Sequence, residues 1–92
     1  MTRNDGARLQ QARHNAGLSL DDVLFAVRTG LPQPMWISRA KIARWEKTDH
    51  VDDPFMVAFL ADLYGVDIQE QFPETREALD SISDMLFRCR HH

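Results

Sequence analysis

The chain has no long hydrophobic run. Its apolar stretches last only a few residues, and a membrane-spanning helix needs about 20. It has one cysteine, Cys89, so an internal disulfide is excluded, and four scattered histidines do not supply zinc-finger spacing. Its four glycines form no phosphate-cradling loop. No metal-ligand cluster and no nucleophile–base pair stands out, and Ser81 and Ser83 read as ordinary helix residues. An enzyme is therefore not expected, nor a cofactor or a metal. Cys89 with His91 and His92 is a remote metal candidate only, because terminal residues are usually poorly ordered. The opening MTRNDGARLQ lacks the apolar core of a secretory signal, so a cytoplasmic location is expected.

At 92 residues the chain is expected to form one domain with a modest core. The net charge of −3 argues weakly against a nucleic-acid partner, but its distribution matters more. Residues 1–47 hold eight Lys and Arg against four acids, a net +4; residues 48–92 hold three Arg against ten acids, a net −7. Such a charge dipole can turn its basic half to phosphate and its acidic half to solvent or a protein.

The basic half centres on ISRAKIARWEK, residues 37–47. Ser38 can cap a helix there, because its hydroxyl can accept from an unpaired first-turn N–H. Ile42 and Trp45 share one face and can enter a core. Arg39, Lys41, Arg44 and Lys47 fall mostly elsewhere, and Glu46 is the segment's single acid. An apolar side with cations around it suits a helix that reads the DNA major groove. A solvated amphipathic helix is the bland alternative.

Around it the pattern predicts a first helix over about 5–16, with Leu9, Ala12 and Ala16 as its apolar stripe and Gly17 as a left-handed stop. Arg8 and Arg13 lie off that stripe and read as a solvated face, with phosphate contact as the alternative. A second helix is capped by Ser19, carries Asp21 and Asp22 at its positive end, buries Leu20, Val23, Leu24 and Val27, and ends at Gly30. The prolines in LPQPMW, residues 31–36, exclude a continuous helix. Met35 and Trp36 there read as covering the core edge, or as a wing that touches DNA or a partner. Asp53 and Pro54 start a fourth helix, apolar nearly all round through Phe55, Val57, Ala58, Leu60, Ala61 and Leu63, and closed by Gly65. Residues 67–72 read as one helical turn plugged by Val66, Ile68 and Phe72. Pro73 opens a last helix to about Arg88, with Leu79, Ile82, Leu86 and Cys89 in a heptad-like seam and Met85 beside it. That seam either packs back or pairs with a second copy.

With these residues in view, the chain resembles the lambda-repressor-like, Cro/C1-type (XRE) helix-turn-helix proteins over roughly residues 5–72. The resemblance rests on ARLQQARHNAGLSLDDV, ISRAKIARWEKT and FMVAFLADLYGVDIQEQF, in that order. It implies an all-α, compact five- to six-helix domain over residues 1–72, with residues 73–92 as a C-terminal helix for packing or dimerisation. It implies that Ser38, Arg39 and Lys41 meet base edges or nearby backbone, and that Arg44 contacts phosphate or a base. Lys47 joins this DNA-binding set through its charge. Arg13 matches a recurrent first-helix arginine that is often structural and completes the set. Two departures stand out. Leu20 occupies a place where glutamine or threonine usually grips a phosphate, and the link before the basic helix is about eight residues longer than the family's tight turn.

The function expected is a sequence-specific, DNA-binding transcriptional regulator of phage, prophage or small-operon repressor type. It would act on double-stranded DNA as a homodimer through Leu79, Ile82, Met85 and Leu86. The alternative is an antitoxin or transcription-complex adaptor that acts mainly through a protein partner on the acidic C-terminal half.

Overall fold

Aspartate before proline sets the start of the helix that contributes five residues to the core. Asp53 Oδ1 accepts from Met56 N at 3.2 Å, and Pro54 occupies a first-turn position that needs no N–H. In a computed structural model, which describes residues 4–90 with side chains as far as Leu86, this helix is Pro54–Tyr64. The described chain is all-α: α1 (Asp5–Asn15), α2 (Leu20–Gly30), α3 (Arg39–Trp45), α4 (Pro54–Tyr64), α5 (Ile68–Gln71) and α6 (Pro73–Arg90), with a 3-10 turn at Gln33–Met35. Arg3, His91 and His92 lie outside the described residues, as do the side chains of Arg88, Cys89 and Arg90, so the terminal metal candidate falls there too.

α4 buries Met56, Val57, Leu60, Ala61 and Tyr64. α1 and α6 both pack on it, α5 packs on α6, and α2 packs on α3. Leu9, Val23, Val27, Ile42 and Phe72 complete the centre of the core, each at most 1% exposed. Burying side chains of this size removes about 1.5–3 kcal/mol each of unfavourable hydration. Thr75 is buried as well, so the first turns of α6 share the core with the preceding helices.

The junction between α1 and α2 follows from its sequence. Leu18 N donates to Arg13 O (3.2 Å) and Gly17 N to His14 O (3.0 Å), a closed C-terminal motif that needs a left-handed residue. Gly17 supplies it with φ 73°. Ser19 and Asp22 then form a reciprocal capping box, Ser19 N to Asp22 Oδ2 at 2.9 Å and Asp22 N to Ser19 Oγ at 3.1 Å. The hydrogen bond that the carboxylate accepts from Ser19 N lowers the Asp22 carboxyl pKa, and the Ser19 side chain lowers it further.

Several expectations need correction. Ala16 is exposed at the end of α1 and is not part of the apolar stripe. Phe55 is 52% exposed, because Met56 and Tyr64 take the inner face of α4. Arg13 is not on a solvated face but 8% exposed.

Asp5 and Gly6, at the start of α1, press against the chain that leaves α3. Asp5 N donates to Asp49 O (3.1 Å), Gly6 N to Thr48 O (3.0 Å), and Val51 N to Asp5 Oδ2 (3.1 Å). A Cβ on Gly6 would lie 2.3 Å from the Thr48 and Trp45 carbonyl oxygens, both backbone atoms that cannot swing aside. Gly6→Ala should therefore destabilise the fold by about 1–3 kcal/mol, as overpacking does. Thermal denaturation checks this, and an unchanged Tm would contradict the docking described.

Candidate nucleic-acid interface

The basic segment folds as read, with one side sunk and one side free. Ser38 Oγ accepts from Lys41 N at 3.1 Å and caps α3. Ile42 is 1% exposed and Trp45 is half-buried against the core. Ser38, Arg39, Lys41, Arg44 and Lys47 are all exposed. The first four lie on or at the head of α3; Lys47 sits in the turn after it, where its N–H donates to Arg44 O (3.0 Å).

Two of these cations have partners. Arg39 Nε is 3.0 Å from Asp21 Oδ1 on α2, with side chains 60% and 76% exposed. So open an ion pair is worth little and can exchange readily for a phosphate or a base edge. Lys41 Nζ lies 5.3 Å from the centre of the Trp45 ring, one turn along the same helix. At an exposed site that contact contributes about 0.5–1 kcal/mol and holds the ammonium on the outer face.

Arg13 belongs elsewhere. Its Nε donates to Glu46 Oε2 (2.7 Å), its Nη2 to Glu46 Oε1 (3.0 Å) and its Nη1 to Leu18 O (2.9 Å). The two side chains are only 10% and 5% exposed. The hydrogen bond to Glu46 raises the guanidinium pKa, burial works against it, and the Glu46 charge adds to the rise. Among the residues expected to contact DNA, Arg13 is thus the one whose donors are spent inside the protein. Its structural role is to tie α1 to the end of α3. The missed partner was Glu46, and the available signal was a lone acid next to a core tryptophan.

Tyr64 reaches the same junction from α4. Burial pushes its phenol pKa up, the charge of Glu46 adds to this and that of Arg13 offsets part of it. Its Oη is buried with no hydrogen-bond partner among the described residues.

The link Leu31–Ser38 gives α2 and α3 their unusual separation. Leu31 and Ile37 pack against the core at its two ends. Met35 and Trp36 are each 41% exposed. Leu20 turns partly inward, so that place offers no phosphate grip. On α6, Leu79 and Ile82 are half-buried while Met85 and Leu86 are 65% and 61% exposed. Among the described side chains the seam divides, Leu79 and Ile82 packing back while Leu86, with Met85 beside it, faces out.

An all-helical domain with a capped, cationic helix exposed after a helix and a link has the architecture of a helix-turn-helix protein. A family model described as a helix-turn-helix domain matches residues 6–74, and the chain belongs to that family. Domains of this kind lay their second helix in the DNA major groove, which makes DNA binding the expected activity. No curated protein and no solved structure matches the chain. No helix among the described residues is long and apolar enough to cross a membrane.

Removing one partner of the buried ion pair should cost about 3–5 kcal/mol, because the other charge is left unpaired. Arg13→Met or Glu46→Leu alone should lower Tm sharply, while the two together should recover most of the loss. Equal and additive losses in denaturant titrations would contradict the pairing.

Tyr64 should not ionise near its ordinary value of about 10. Its folded pKa is raised, so the stability it contributes is present below that pH and is lost as pH rises further. Because Tyr64 is the single tyrosine, phenolate absorbance reports it directly. The rise should coincide with loss of helical circular dichroism; a titration near pH 10 with the fold intact would refute the burial.

Proposed function

We propose that the protein is a sequence-specific transcriptional regulator of the Cro/C1 type, a repressor of phage, prophage or small-operon kind. α3 enters the major groove of double-stranded DNA. The observation that carries this reading is the exposure of Ser38, Arg39, Lys41, Arg44 and Lys47 around a helix whose other side is held by Ile42, Trp45 and Glu46. Arg39 and Lys41 are assigned to guanine O6 and N7, Ser38 to backbone or base edge at the helix head, and Arg44 and Lys47 to phosphate.

A single domain of this size offers a small interface, so useful affinity calls for two copies on a two-fold site. The exposed Met85 and Leu86, continuing the line of Leu79 and Ile82, are the proposed dimer contact. The same apolar end, with the acidic charge of residues 48–92, favours the second reading, an antitoxin or adaptor that holds a protein partner through α6.

Selection of bound sequences from random duplexes should enrich a palindromic site. Arg39→Ala with Lys41→Ala should abolish preference for that site and leave Tm unchanged. Lys47→Ala should weaken binding to all sequences alike and reduce the salt slope by about 1. Retained preference in the Arg39/Lys41 variant would remove α3 from the recognition role. A non-repeated site would remove the two-fold dimer.

A further inference from the structure

The link before α3 holds out two large apolar side chains. Met35 and Trp36 are each 41% exposed, although Leu31 and Ile37 on either side pack inward. The indole is nevertheless held in place. Its Nε1 donates to Leu31 O at 2.8 Å, and the turn beneath it is closed by Met35 N to Pro32 O (2.9 Å) and Trp36 N to Gln33 O (3.0 Å). Pro32 and Pro34 remove further backbone freedom from the same turn. A stiff loop thus presents a ring whose single polar donor is already used.

The backbone sets the place of that ring. Trp36 (φ −68°, ψ 141°) and Ser38 (φ −80°, ψ 158°) are both extended. Ile37 packs against the core, and Trp36 stands exposed two residues before Ser38, next to the head of α3. The two Cα atoms are no more than about 7 Å apart. In a groove-docked helix this head is the end that meets base edges.

We propose that Trp36, with Met35 beside it, forms the apolar part of the DNA interface and packs against a thymine methyl flanking the bases met by α3. This rests on the recognition-helix reading above. An indole with its N–H spent cannot hydrogen-bond a base edge. The thymine C5-methyl is the apolar group that the major groove displays. The cations Arg39, Lys41 and Arg44, which follow directly on the chain, draw the duplex to the head of α3, and the docked duplex shields the ring from water. Trp36 therefore adds a thymine preference at a position that α3 does not itself reach, and the long link before α3 is what places it there.

The test uses the full chain and its selected site. Each thymine of the site is replaced in turn by uracil, which removes the methyl group alone. The wild-type protein should lose about fourfold in affinity at one flanking position, the value for one methyl-sized group leaving a buried contact. Its salt slope should not change, because no phosphate contact is lost. Trp36→Ala should bind the thymine duplex about tenfold more weakly, having given up the buried face of the ring. It should then show no further loss on uracil substitution. Trp36→Phe, which keeps an apolar ring without the indole N–H, should keep the thymine preference in part. Wild-type indifference to every uracil, or Trp36→Ala binding as tightly as wild type, overturns the inference. If Arg39→Ala with Lys41→Ala still abolishes site preference in that case, the recognition helix stands and the exposed ring belongs to a protein contact. If that variant also binds like wild type, both readings fall together.

Discussion

The buried pair between Arg13 and Glu46 is the constraint on which the placement of α3 depends. α3 has only seven residues, too few to hold a fixed orientation by its own hydrogen bonds. Ile42 and Trp45 give it an apolar underside, but an apolar contact is nondirectional. The two-pronged guanidinium–carboxylate contact is directional, since both parallel bonds must form together. Glu46 is the residue immediately after α3, so that geometry is passed straight to the helix end. Arg13 in turn is fixed by the Leu18 carbonyl within the closed α1–α2 junction. One guanidinium thus connects α1, the α1–α2 junction and the end of α3.

The other end of α3 is held differently. Ser38 closes the first turn, and the link before it is stiffened by prolines and by the Trp36 indole on Leu31 O. The helix is therefore fixed by an ion pair behind and a rigid loop in front. Its charged side chains are left with weak, exchangeable partners, Asp21 for Arg39 and the Trp45 ring for Lys41. This division suits a surface that must keep its shape and give up its own contacts to a stronger anion.

Local chemistry was readable from the residues alone. Ser19, Ser38, Asp53 and Pro54 mark helix starts, and Gly17 and Gly65 mark stops, because caps depend on neighbours a few residues away. The exposed cations of α3 were legible for the same reason. Pairings across the chain were not. Glu46 meets Arg13 from 33 positions away, so an arginine off the apolar stripe read as solvated and as a DNA contact. Gly6 looked unremarkable until the carbonyls of Trp45 and Thr48 were seen against it. The seam of α6 read as one face, yet Leu79 and Ile82 are half-buried while Met85 and Leu86 are exposed. Periodicity tells which residues share a face, not how much of that face a neighbour covers.

The close seating of α1 on the turn after α3 has an electrostatic consequence. A helix carries partial positive charge at its N-terminus and partial negative charge at its C-terminus. Here the first amides of α1 donate to Thr48 O and Asp49 O, just past the C-terminal end of α3, and only the missing side chain of Gly6 lets the backbones come so near. The positive pole of one helix thereby damps the negative pole of the other. Peptide carbonyls just past the far end of α3 are turned inward to hydrogen-bond partners, and Arg39, Lys41, Arg44 and Lys47 remain the exposed cations of the segment.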